Sequence, residues 1–138
     1  MLRIALSLSC ALGVAGCSLA NDCSSGLIHK AYDPGSDRYA VVEERDCGAT
    51  TGKATVVRVG RASRSPDAAV EVFVADDDHG LARAMEFPNM AISVVWRRPG
   101  ELSIAFDSKA RVFRRLPTAE GARISYISTE PIAFPGVP

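Results

Sequence analysis

An all-β fold is what this sequence predicts, as an antiparallel sheet or small β-sandwich of about seven short strands with at most one short helix. Three observations carry that expectation. Runs rich in valine and isoleucine recur along the body of the chain, several with period-two alternation. Clusters of Asp, Pro and Gly punctuate them. One pair of runs, over 92–106, is joined by Arg97-Arg98-Pro99-Gly100, which puts Pro then Gly at the centre of a tight turn. Pro presets its own backbone angle there, and Gly tolerates the positive φ that must follow.

The elements follow in order. The cluster DPGSD at 33–37 is a turn, and YAVVEE at 39–44 is the first strand. Residues 46–52 form a loop, and the β-branched run ATVVRV at 54–59 is the second strand. The polar stretch RASRSPD at 61–67 contains Pro66 and reads as a connection. In VEVFV at 70–74, Val70, Val72 and Val74 alternate and are expected to share the core face. Residues 76–80 are a loop, and 81–87 are expected to form a helical turn or two, stopped before Pro88. The hairpin 92–96 and 101–106 points Ile92, Val94 and Trp96 to one face, with Leu102, Ile104 and Phe106 on one face of its partner. Trp96 and Phe106 are assigned to core packing rather than to a ligand slot. Short strands over 110–114 and 123–127 complete the body. The tail, 129–138, holds Pro131, Pro135 and Pro138 and reads as extended.

The start of the chain has a different character. Residues 1–16 hold one cation, Arg3, and no acid, and then run apolar from Ile4 to Gly16 apart from Ser7, Ser9 and Cys10. A positive start, a short apolar stretch and small residues before a cut is the layout of a secretory signal. The apolar stretch is about thirteen residues long, whereas a membrane-spanning helix needs roughly twenty. Its end, Val14-Ala15-Gly16-Cys17, resembles the lipobox of bacterial lipoproteins. The resemblance implies a cut before Cys17, a thioether-linked diacylglycerol on its sulfur and, often, a third acyl chain on its new amino group. Each buried methylene contributes about 0.8 kcal/mol, so two or three chains hold the protein on a bilayer. Ser18 follows where an aspartate often marks inner-membrane retention in that family, which favours the outer membrane with the domain facing the periplasm. The expected organisation is a leader over 1–16, a lipid anchor and tether over 17–30, a β-rich domain over 31–128 and the tail.

Of the 138 residues, 16 are basic and 16 acidic, and losing Arg3 with the leader leaves about one net negative charge. That balance argues against a nucleic-acid partner. Besides Cys17, the exported chain keeps Cys23 and Cys47, and an oxidising compartment favours their pairing. A loop of about 25 residues gives such a bond on the order of 3–4 kcal/mol by loop-closure entropy. Cys23 lies six positions from Cys17. Six residues reach at most about 20 Å, so the domain stays beside its bilayer and its partner is expected to be membrane-proximal.

Four stretches, 33–52 (DPGSDRYAVVEERDCGATTG), 72–80 (VFVADDDHG), 94–107 (VVWRRPGELSIAFD) and 110–115 (ARVFRR), resemble a group of small bacterial envelope proteins. The resemblance implies a shared domain and brings no activity, substrate or catalytic residue.

Candidate sites are few. GATTGKA at 48–54 falls short of a phosphate-binding loop, with three residues between its glycines and Ala54 after the lysine, so no nucleotide is expected. Asp76, Asp78 and His79 are the candidates for a metal, but their spacing does not continue as a calcium loop and a solvated loop is the expectation. His29 falls in the tether, and no serine sits in a nucleophile pattern, so no catalytic residue and no cofactor is assigned. Arg58, Arg97, Arg98, Arg111 and Arg114 are the candidates for contact with an anion or a partner, since a planar guanidinium pairs its hydrogen bonds on carboxylate or phosphate. Three functions are compatible with these residues. The leading one is a lipid-anchored envelope module, held through acylated Cys17, that binds a protein at the membrane surface. The alternatives are an immunity-type inhibitor of a toxin or enzyme, and a small envelope hydrolase using the acidic loop.

Overall fold

Alternation along each strand decides which side meets the core, and cross-strand register then fixes which residues share a face. The computed structural model describes residues 23–48, 51–82, 84–85 and 89–130. The strands are β1 (Ser24–Tyr32), β2 (Arg38–Asp46), β3 (Ala54–Arg61), β4 (Val70–Asp76), β5 (Ala84–Met85), β6 (Asn89–Met90), β7 (Ile92–Arg98), β8 (Glu101–Asp107), β9 (Arg111–Arg115), β10 (Thr118–Ala119) and β11 (Ala122–Thr129). Among the described residues the sole helical element is a single 3-10 turn, Pro66–Ala68. One sheet has the order β1-β2-β3-β4-β9, the other β10-β11-β8-β7, and β5 and β6 form a small separate pair.

The inner faces of the two large sheets share one core. Ala40, Val42, Val57, Val59, Val72, Phe73 and Ala75 come from the five-stranded sheet, and Val94, Leu102, Ile104, Phe106 and Ile124 from the other. Phe73 is completely buried and touches both aromatic neighbours across the interface, Phe106 at 5.0 Å and Tyr126 at 5.8 Å between ring centroids. Trp96 packs on the same core, as expected, and donates its indole N–H to the Ala31 carbonyl at 3.2 Å, bridging the β7 and β1 edges.

Two turns are braced against each other at one end. The Asp33 side chain is fully covered and accepts from Arg38 Nε (2.8 Å), the Ser36 hydroxyl (2.9 Å) and the backbone N–H groups of Gly35 (3.0 Å) and Gly100 (3.1 Å). Burial works against its ionisation, but these donors outweigh it and hold the carboxyl below its ordinary value. The Pro99-Gly100 turn forms as the sequence predicts, with Gly100 at φ +75°. A side chain on Gly35 would collide with Pro99 at 2.5 Å, so the two turns meet only because that residue is glycine.

Five features depart from the sequence expectation. Residues 24–30, assigned to the tether, belong to β1. This strand is exposed from Ser24 to Lys30, so no buried alternation marks it, and backbone pairing with β2 forms it. Thr129, assigned to the tail, is the last residue of β11. A bulge between the Val57 and Arg58 pairings inserts Val72 as an extra residue in β4. The inward phase therefore passes to Phe73 and Ala75, and Val74 faces outward opposite Val56. Where helical turns were expected, Ala84–Met85 pairs with Asn89–Met90. Finally β11 runs parallel to β8, because the chain crosses to the first sheet as β9 before returning. Cys17, the leader and the Pro-rich residues 131–138 lie outside the described residues.

Candidate functional site

Register places four rows of side chains on the outer face of the five-stranded sheet, the one nearest the disulfide being Ser25, Arg45, Ala54, Asp76 and Arg111. Tyr32, Tyr39 and Gly60 are opposite one another, then Lys30, Val41, Arg58 and Glu71, then Leu27, Glu43, Val56, Val74 and Arg114. Val41 and Val56 are buried on this outer face, beneath long charged side chains that lay their stems over the apolar strip.

Most charges on this face are committed to one another. Arg45 and Arg114 both pair with Glu71. The Lys53–Glu44 pair, at 2.8 Å, belongs to the other face, since Glu44 keeps the phase of Ala40 and Val42. Arg111 grips Asp76 through Nη2 and through Nε, 3.2 Å from Oδ1, and reaches Asp78 at 3.8 Å. Burial of Asp76 is outweighed by Arg111 and by the Asp78 N–H, which holds its carboxyl below the ordinary value.

One patch differs. A depression of about 190 Å³ is lined by Leu27, Lys30, Tyr39, Val41, Glu43, Arg58, Pro66 and Ala69. Its floor is the Tyr39 ring with Val41. The ring lies across Gly60, where any side chain would meet the phenol at 2.6 Å. Lys30 stands over this ring, its ammonium 4.0 Å from the centroid, a cation–π contact. Arg58 donates to the Ala69 carbonyl at 3.1 Å, which ties the wall after the 3-10 turn to β3. Among the described residues no ion pair is formed by Lys30, Arg58 or Glu43. The depression thus offers two cations and one carboxylate over an apolar floor.

The sequence candidates are scattered by the fold. Arg58 is in the depression. Arg111 and Arg114 lie on β9 at the far edge of the same sheet, already facing Asp76 and Glu71. Arg97 and Arg98 end β7, and Arg98 pairs with Glu101 at 2.8 Å. Asp76 and Asp78 are engaged by Arg111, and His79 follows in a left-handed turn at φ +60°. Among the described residues no group of three or more His, Cys, Asp or Glu is placed to hold a metal ion. His29 is on β1 and His79 follows β4, so the two histidines belong to different ends of the sheet order. In the near-miss loop the Thr51 hydroxyl donates to the Gly48 carbonyl at 3.2 Å, which is turn chemistry.

Cys23 and Cys47 are joined, with their sulfurs 2.05 Å apart. They close the open end of the β1–β2 hairpin, next to the Ser24–Asp46 pair. Sequence reasoning missed Lys30, Tyr39 and Glu43 as a group, because β1 was read as a tether. The available signal was Gly60 at the end of a valine-rich strand, which marks a close approach of another side chain.

Fold and depression together define a two-sheet β-domain with a small amphipathic recess on one outer face. Comparison with known protein families, curated proteins and solved structures finds no match for this chain.

Proposed function

We propose that this protein is a lipid-anchored module of the bacterial envelope, whose β-domain binds a protein partner beside the membrane. The depression carries the reading: Lys30, Arg58 and Glu43 form no ion pair there among the described residues, while Arg45, Arg114 and Arg111 on the same face are matched by Glu71 and Asp76. At about 190 Å³ it is below the roughly 300–1,000 Å³ of sites that enclose a small molecule. It has the size of a socket for one protruding side chain, the usual form of an interface anchor. Two cations against one carboxylate suit an acidic residue with an apolar stem. The lipobox at 14–17 and the Cys23–Cys47 bond support export and anchoring.

The test is in-cell crosslinking in the native host, with purification and mass spectrometry, on the wild type, Cys17→Ser and Arg58→Glu. The expected result is one repeatable envelope protein with the wild type, lost with Cys17→Ser and reduced at least about tenfold with Arg58→Glu. A wild type that enriches no partner would overturn the reading.

A further inference from the structure

Strand β1 is exposed in both phases, and its accessible composition differs from that of the other described strands. Leu27 (67%), Ile28 (41%) and Tyr32 (64%) are large hydrophobic residues left accessible within one strand, with Lys30 between them. Among the described residues the other accessible large hydrophobics are dispersed: Leu81 after β4, Phe113 on β9, Val95 on β7 and Ile127 on β11. Apolar chains beside a tyrosine and a lysine are what the water–lipid interface selects, since each presents an apolar body and a polar tip.

We infer that the β1 edge lies against the headgroup layer of the bilayer, as a membrane-contact strand, and this rests on the lipid anchor of the proposed function. The chain length supports it. Cys23 is fixed to the domain by its bond to Cys47 and stands six positions after Cys17. A span of at most about 20 Å keeps the start of β1 at the surface. The accessible apolar residues run from Leu27 to Tyr32, so contact extends along the strand and sets the domain lengthwise on the membrane.

An added strand from a protein partner is the other occupant an open sheet edge invites. Two observations disfavour it. The extra residue at Ile28 breaks the regular spacing of β1, and a pairing strand needs that spacing. The Ala31 carbonyl is already taken by Trp96.

The test uses the full acylated protein purified from its membrane and placed in vesicles of phosphatidylethanolamine and phosphatidylglycerol, with and without dibrominated acyl chains. Ile28→Trp and Leu27→Trp are compared with Ile127→Trp, each against the wild-type Trp96 signal. The two β1 variants are expected to emit at shorter wavelength and to be quenched at least about twofold more than the control. Equal quenching of β1 and control variants, in protein that floats with the vesicles and carries acyl groups on Cys17, overturns the inference and leaves the anchor standing. An unmodified Cys17 and no flotation removes both. Protection of β1 from hydrogen exchange only on adding an envelope protein, without bromolipid quenching, overturns it in favour of strand addition.

Discussion

Asp33 shows how much one buried carboxylate can organise. It joins the turn before β2 to the turn between β7 and β8, and its partners hold its pKa down. For a carboxylate with a lowered folded pKa, the contribution to stability is whole above the ordinary value of 3.8 and is lost as pH falls through the folded value. Asp33→Ala removes the carboxylate that faces Arg38 and the acceptor of the Gly100 N–H, and is expected to cost about 3 kcal/mol in urea denaturation at pH 7. The same variant is expected to lose part of the acid sensitivity of the wild type below about pH 4, measured as denaturation midpoint against pH. Tyr126 gives a second single-residue expectation. Its hydroxyl lies 2.8 Å from the Leu116 carbonyl and 2.9 Å from that of Val72, so Tyr126→Phe is expected to cost about 1–2 kcal/mol in the same assay. Neither role is visible in the sequence. Asp33 reads there as an ordinary turn former, because its long-range partner Gly100 is 67 positions away.

At the scale of elements, legibility followed local chemistry. The β7–β8 hairpin was readable because Pro99 and Gly100 encode the turn and the alternation on both sides agrees with it. The strands β2 and β3 were readable from their valines. β1 was not, since an exposed edge strand has no burial to imprint a pattern, and its pairing is set by the hairpin and the disulfide. That bond closes a separation of 24 residues. Replacing Cys23 and Cys47 together by Ala is expected to cost about 3 kcal/mol and to speed amide hydrogen exchange most in 24–27, read by mass spectrometry. Uniform exchange along β1 and β2 would show that the ladder holds without it. The phase of β4 was also hidden, because a bulge depends on the partner strand. The depression shared that fate: β1, β2, β3 and the residues after the 3-10 turn each supply a part.

For the whole molecule, the all-β class was legible and the route of the chain was not. Strand content follows from residue type, whereas the assignment of β9 to the opposite sheet from β8 follows from how two inner faces share one core. Phe73 sits where they meet. Phe73→Ala is expected to cost about 3–5 kcal/mol, with both sheets melting together by calorimetry and circular dichroism. That expectation has its root in the parallel β8–β11 pair. The chain leaves one layer, adds a border strand to the other and only then comes back to complete the first. The layers are stitched by that passage. Neither is a foldon in its own right: a chain emerging from synthesis makes β7 and β8 before β9 closes the five-stranded sheet, and their own sheet waits for the last strand.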